Sequence, residues 1–187
     1  MMNEHVVLVD EQNNRLGLED KYSVHTDDTP LHRGFSLFII NKQGELLLQQ
    51  RSDSKIAWPG VWSNSVCGHP ADGETPQEAA KRRAKFELGI DIELDSIYLI
   101  LPKYQYKFEY NGIVENEICP VMAVFGEFEP KPNPDEVKDT KWIEWPKFME
   151  EIKKPNKYSQ WCQQEAALIS TSEVFTSIFE AYCFIPK

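Results

Sequence analysis

Apolar and polar positions along this chain change period several times, and each change marks an element. Glu4 to Val9 reads as a first strand with Asn13-Asn14 as its turn. The apolar run from Gly34 to Ile40 predicts a buried strand, Asn41 to Gly44 a turn, and Glu45 to Arg51 the returning partner. Ile56 to Cys67 has no period and is rich in Trp, Gly, Pro and Ser; a long aromatic loop of this kind is usually functional. Helical spacing then begins at Thr75-Pro76. Thr75 suits the N-cap, Glu78 completes a capping box, Ala79, Ala80, Ala84 and Leu88 supply the apolar stripe, and Gly89 ends the helix. Ile97 to Tyr110 reads as a strand, Asn111-Gly112 as a hairpin turn, and Val114 to Glu127 as its return. Asp139 to Trp145 is a further strand, and Pro146 to Lys153 and Ser159 to Tyr182 read as helices. Strands first and helices last predict an α+β fold, a mixed sheet with helices packed against it.

Length and charge narrow this picture. A chain of 187 residues suits one domain, taken here as 1–187, and can bury about 70% of its unfolded surface without disulfide staples. Hydrophobic residues at 41% and charged residues at 27% are near the globular average, which argues against disorder and against a coiled coil. No apolar run is long enough to span a bilayer, and the first residues lack the basic and small-residue pattern of a secretory signal. A net charge of −10 opposes nucleic-acid binding. The four cysteines form no CxxC pair, so neither a zinc ribbon nor a thioredoxin motif is present, and free thiols in a cytoplasmic protein are expected.

The chemistry-bearing residues fall into a few segments. Around the predicted helix the spacing is Gly68, five residues, Glu74, seven residues, Arg82, then Arg83-Ala84-Lys85-Phe86-Glu87-Leu88-Gly89-Ile90. This resembles the Nudix signature, a loop–helix–loop whose glutamates collect divalent metals on a diphosphate. Two acidic positions of that pattern are changed, since Arg83 and Phe86 stand where glutamates are expected. Carboxylates at such positions gather the metals that activate water, so their loss argues against hydrolysis while leaving a scaffold that can grip a diphosphate. The stretch Lys81 to Lys85 reads as a basic face.

His25 and His32 share one short stretch, and His69 follows Cys67-Gly68. Glu115 and Glu117 lie two apart on a predicted strand and therefore share a face, with Cys119 next along it. Three imidazoles and two carboxylates make a five-ligand octahedral set that suits zinc, manganese or magnesium. Cys67 lies beside these ligands and a basic cluster, where a lowered pKa and an available thiolate are expected.

Together the segments at Lys21–Thr26, TPLHRGFS (29–36), WPGVWSNSVCGHP (58–70), KRRAKFELGI (81–90) and GIVENEICPV (112–121) resemble the metal-dependent, type I isopentenyl-diphosphate isomerases of the Nudix superfamily. The resemblance implies a Nudix-like mixed-sheet core, about 30–146, with extra N-terminal strands and C-terminal helices. It implies that His25, His32, His69, Glu115 and Glu117 bind one divalent ion (Mn2+, Zn2+ or Mg2+). Glu87 and the Cys67 carbonyl would take a second, Mg2+, that accompanies the diphosphate. Lys21, Arg51, Lys55 and Arg83 would grip the diphosphate. Cys67 and Glu117 would be the catalytic pair, with Tyr106 beside the glutamate and Trp161 facing a carbocation. In this chain Gln160 precedes that tryptophan, where the family commonly has proline. By this reading Glu117 with Tyr106 is the acid, the Cys67 thiolate the base, and Trp58 and Trp62 candidates for a water-excluding lid. The implied substrate is a small allylic or homoallylic diphosphate, and the chain a monomer or weak homodimer with no membrane partner. The alternative is a Nudix-type diphosphate hydrolase, favoured by Gly68, Glu74, Arg82 and Glu87 and opposed by Arg83 and Phe86. A metal-binding regulatory module is a third reading.

Overall fold

A computed structural model describes residues 5–154 and 157–183; Glu4, at the start of the first predicted strand, lies outside them. Two mixed sheets carry the fold. One has the order β2-β1-β3-β10-β9, built from β1 (His5–Val9), β2 (Arg15–Asp20), β3 (His32–Arg33), β9 (Gln105–Tyr110) and β10 (Ile113–Ile118). The other has the order β12-β5-β4-β11-β8, built from β4 (Phe35–Ile40), β5 (Glu45–Arg51), β8 (Ile97–Leu101), β11 (Val121–Phe125) and β12 (Val137–Glu144). Two short strands from the aromatic loop join this second sheet, β6 (Trp62–Ser63) on β5 and β7 (Val66–Gly68) on β4.

The apolar run of β4 has its cause in burial on both faces. Phe35, Leu37 and Ile39 pack toward α2 (Pro76–Leu88), with Ala79, Ala80, Ala84 and Leu88. Phe38 and Ile40 pack toward the C-terminal helices α3 (Trp145–Glu151), α4 (Gln160–Ile169) and α5 (Glu173–Cys183). A strand covered on both faces needs no polar alternation. The α2 caps form as the sequence predicts. Thr75 Oγ1 accepts from the Glu78 amide while the Glu78 carboxylate accepts from the Thr75 amide, and Gly89 closes the helix in the left-handed region at φ 67°.

The long predicted strands are each broken. Ile97–Tyr110 divides at Pro102-Lys103-Tyr104, and Val114–Glu127 divides at Cys119-Pro120. Proline has no amide to give to a ladder. At these breaks the hairpin leaves the second sheet and continues in the first as β9 and β10. The neighbouring chain crosses in the same place, from β3 to β4 through Gly34, whose amide donates to the Ile118 carbonyl. The single predicted C-terminal helix is also two, because Ser170-Thr171-Ser172 interrupts it and the Ser172 hydroxyl accepts from the Phe175 amide at the start of α5. Within the described residues no helix is long and apolar enough to cross a membrane.

Candidate active site and metal centre

Where the two sheets exchange strands, a cavity of about 300 Å³ opens. One end is lined by His25, His69, Glu115 and Glu117, the middle by Cys67, Tyr106 and Trp161, and the other end by Lys21, Arg51, Lys55, Arg83 and Glu136. All the site residues read from the sequence except His32 and Glu87 line it, and those two are buried against its walls.

The histidine end draws on four segments. His25 caps the C-terminus of the short helix α1 (Lys21–Val24), His32 lies on β3, His69 follows β7, and Glu115 and Glu117 lie on β10. β10 lies between β3 and β9, not at a sheet edge, and both glutamates are buried. The three rings pack with centroids 5.0–5.4 Å apart. His25 Nδ1 is 3.0 Å from the Lys21 carbonyl and His32 Nδ1 is 2.9 Å from the Pro30 carbonyl. A carbonyl only accepts, so Nδ1 carries the proton in both rings and, in the neutral form, each Nε2 lone pair turns inward. His32 Nε2 lies 3.3 Å from His69 Nε2, and His69 Nε2 lies 2.9 Å from Glu117 Oε1. One ligand atom each from His25, His32, His69 and Glu115 falls within a 4.8 Å span, while His25 Nε2 and Glu115 Oε2 are buried without a hydrogen-bond partner. Converging lone pairs and orphaned buried polar atoms are what a cation would satisfy, so these residues fit a divalent ion.

Burial opposes charging all three rings. Glu115 beside His25 and Glu117 beside His32 outweigh it and raise those two pKa values, whereas His69 is held down to about 4 by its burial. Glu117, despite its own burial, is held well below the ordinary carboxylate range by His32 and His69. Its other oxygen, Oε2, accepts a hydrogen bond from the Tyr106 hydroxyl at 2.9 Å. The carboxylate packs on the bare Cα of Gly34, in space that a side chain there would fill.

In the middle of the cavity, the Arg51 guanidinium approaches the Cys67 sulfur at 3.5 Å. The expected thiolate does not follow. Burial pushes the thiol up to about 12, against the pull of Arg51 and with Glu87, Glu117 and Glu165 adding to it. Burial thus favours the thiol form of Cys67, while His32 and His69 favour the carboxylate form of Glu117. Trp161 stacks near Tyr106, with centroids 6.0 Å apart and planes at 18°, and donates from its indole nitrogen to Asn64 Oδ1 at 3.2 Å. Gln160 occupies the first position of α4, where proline is equally well suited, so that departure leaves the start of the helix intact. Trp58 supports Trp161 edge-on from the core and Trp62 lies under Lys141; neither lines the cavity as a lid.

At the cationic end, Arg83 is nearly fully buried and bonds Glu87 through Nε at 2.9 Å and Glu136 through Nη2 at 2.8 Å. Gln49 donates to the other Glu87 oxygen at 3.2 Å, and Lys55 pairs with Glu136. The basic face expected over Lys81–Lys85 does not exist as one surface. Arg83 points inward, Lys81 and Lys85 turn outward to Asp91, and Arg82 pairs with Glu74. Successive helical residues do not share a face. Glu74 also accepts from the Ala71 amide, and Arg82 donates to the His69 carbonyl, so this pair clamps the loop that carries His69. Of the signature residues that favoured hydrolysis, Glu74 and Arg82 are thus engaged with each other, and Glu87 is enclosed by Arg83 and Gln49.

Asn64 and Glu136 escaped the reading of the sequence. Asn64, which also donates to the Leu37 and Val66 carbonyls, sits inside the distinctive SNSVCGHP segment, and a lone amide among aromatics was its available signal. Glu136, in a turn-like NPDE run, has none.

The NUDIX domain pattern matches residues 30–162 of the chain. The chain is 47% identical over 168 residues to an isopentenyl-diphosphate Delta-isomerase of Klebsiella pneumoniae, covering 89% of this chain and 90% of that protein. It is 45% identical over 166 residues to one of Saccharopolyspora erythraea, covering 88% of this chain and 84% of that protein. Among solved structures, DR0079 from Deinococcus radiodurans superimposes with a TM-score of 0.68 at 23% identity, covering 91% of this chain and 99% of that one. A MutT protein from Methanosarcina mazei gives 0.61 at 19% identity, covering 75% and 94%. These two share the fold.

Proposed function

Because the chain belongs to the isopentenyl-diphosphate Delta-isomerase family of NUDIX domain proteins, we propose that the cavity between its sheets is the active site of that isomerisation. The enzyme interconverts isopentenyl and dimethylallyl diphosphate by moving a carbon–carbon double bond by one position, in isoprenoid precursor biosynthesis. The observation that carries the site assignment is one cavity with a cationic grip at one end, a thiol and an indole in the middle and a phenol-bonded carboxylate beyond them.

The reaction needs a proton added to the terminal methylene and another removed from the methylene beside the resulting tertiary cation. Cys67 and Glu117 are the two groups that exchange these protons with the substrate, and the direction of reaction decides which gives and which takes. Tyr106 holds Glu117 by its hydroxyl. General acid–base help amounts to about 10²–10⁴-fold, so the cation itself needs stabilising. The face of Trp161, fixed by Asn64, offers about 2 kcal/mol to a desolvated cation. Burial of the reacting end excludes water, which would trap the cation as an alcohol.

His25, His32, His69, Glu115 and Glu117 would hold one divalent ion, Mn2+, Zn2+ or Mg2+. Glu87, with the Cys67 carbonyl, would meet the Mg2+ that accompanies the diphosphate. Bound there, these ions supply positive charge that orders the carboxylates and neutralises the diphosphate. Lys21, Arg51, Lys55 and Arg83 grip the diphosphate oxygens.

Incubation with isopentenyl diphosphate and Mg2+ tests the assignment. Isomer formation without phosphate release is the expected result; phosphate release identifies a hydrolase, and neither identifies a regulatory module. A finer test is Glu87→Gln. Losing one charge-assisted contact of about 1.5–3 kcal/mol should raise the Michaelis constant by roughly tenfold or more, with the histidine-bound metal retained. Loss of that metal at an unchanged Michaelis constant would contradict the division of labour.

A further inference from the structure

Among the charged side chains of the cavity, Glu136 stands out because it is an anion inside an anion grip. Its Oε2 serves both Arg83 and Lys55, two of the four cations assigned to the diphosphate. The backbone around it is fixed on three sides. The Glu136 carbonyl accepts from the Ser52 amide, the Glu136 amide donates to the Asn133 carbonyl, and the loop leading to it is tied to the end of α2 by Asn133 and Lys131 amides on the Glu87 and Leu88 carbonyls. The carboxylate is thus a built part of the wall, not a surface side chain that happens to reach in. Glu87 lies on the other side of the same Arg83 guanidinium.

Charge balance shows what such an arrangement selects. Lys21, Arg51, Lys55 and Arg83 against Glu87 and Glu136 leave a surplus of two positive charges at this end. Asp135, at the exposed rim, is screened by solvent. A fully ionised diphosphate monoester is a trianion, so the free anion is under-compensated and meets the repulsion of the half-buried Glu136 and, behind Arg83, the buried Glu87. The same anion carrying a divalent cation has a much smaller net negative charge, so each carboxylate repels it less than it repels the free trianion. Without Glu136 the surplus of three would match the free trianion directly.

We propose that Glu136 is a specificity-determining residue that makes the grip prefer metal-complexed diphosphate over the free anion. This inference rests on the assignment of Lys55 and Arg83 to the diphosphate. Glu136 acts by its charge on the ligand and on the two cations; no bond from it to a metal is required. The enclosed position matters, since a carboxylate in bulk solvent would be screened and could not discriminate.

Inorganic pyrophosphate is the probe, with its dissociation constant measured calorimetrically with and without Mg2+. In the unaltered protein Mg2+ should tighten pyrophosphate by about tenfold or more, the effect of one charge interaction of about 1.4 kcal/mol. In Glu136→Gln the metal-free anion should bind about tenfold tighter and the advantage given by Mg2+ should shrink correspondingly. An unchanged Mg2+ advantage in Glu136→Gln overturns the proposal. So does weaker binding of both forms, which would mean that Glu136 only orients Lys55 and Arg83. Lys55→Gln is the companion variant. It should weaken both forms, and if it leaves both unchanged the grip assignment itself fails, a result separable from failure of the Glu136 inference. Glu136→Asp should keep the Mg2+ preference, which guards against a fold artefact in the glutamine variant.

Discussion

Replacing Cys67 by alanine should lower turnover by about 10²–10⁴-fold, the usual worth of a positioned proton-transfer group, with the fold and metal content unchanged. The sulfur lies in the middle of the cavity, between the grip and Glu117, and Arg51 is the cation beside it. Removing one small, half-buried group leaves the surrounding strand pairing of β7 with β4 untouched. Serine should be nearly as damaging, because a hydroxyl gives up its proton far less readily than even a thiol pushed up to about 12. Cys119 and Cys162 provide internal controls. Both are fully buried and neither lines the cavity; the Cys119 sulfur faces Ser36 and Glu165. Their alanine variants should lose less activity. An epoxide diphosphate should alkylate Cys67 selectively, as read by peptide mass mapping. A folded Cys67→Ala protein with near-normal turnover would reduce the cysteine to packing.

Stripping the divalent ions should abolish turnover, and Mg2+ or Mn2+ should restore it. In their absence the five residues of the histidine end have only protons to share. Glu115 and Glu117 raise the pKa values of His25 and His32, and Glu117 is drawn onto His32 and His69. A carboxylate held in this way is a poor partner for a weakly basic alkene. Metal and protons compete for the same nitrogen lone pairs, so restoring the ion also releases protons. The measurement is activity against metal content during dialysis with a chelator and subsequent titration. Full turnover by exhaustively metal-free protein is the outcome that defeats this account.

Much of the site was legible because it consists of chemistry in fixed local spacing. Glu115 and Glu117 share a face by strand periodicity alone, and the Thr75–Glu78 box and Gly89 delimit α2 by local rules. What local pattern does not carry is environment. Cys67 has a cation for a neighbour, as its surroundings in sequence suggest, yet burial outweighs Arg51 and reverses the expected protonation. The apparent basic face of α2 fails for a related reason, since Arg82, Arg83 and the pair Lys81 and Lys85 point in three directions around the helix, to Glu74, to Glu87 and to Asp91. The two long strands were read through Pro102 and Pro120 because apolar alternation resumes beyond each. Which sheet each half joins depends on contacts between β3 and β10 and between β4 and β11, far apart in sequence. Glu136 was invisible because its significance lies wholly in partners at positions 55 and 83.

The strand exchange between the sheets gives the histidine end a mechanical meaning. Its five residues run from His25 to Glu117, half the length of the chain, and meet where two crossing segments pass from one sheet to the other. An ion held there would be a cross-link as well as a reagent. It would close a large loop, for which chain-entropy reasoning on covalent links of roughly 100 residues gives about 4.7 kcal/mol, and would rivet the hairpin that bears the carboxylates to the segments that bear the imidazoles. With an ion bound, assembly of the reaction centre and consolidation of the fold would be one event.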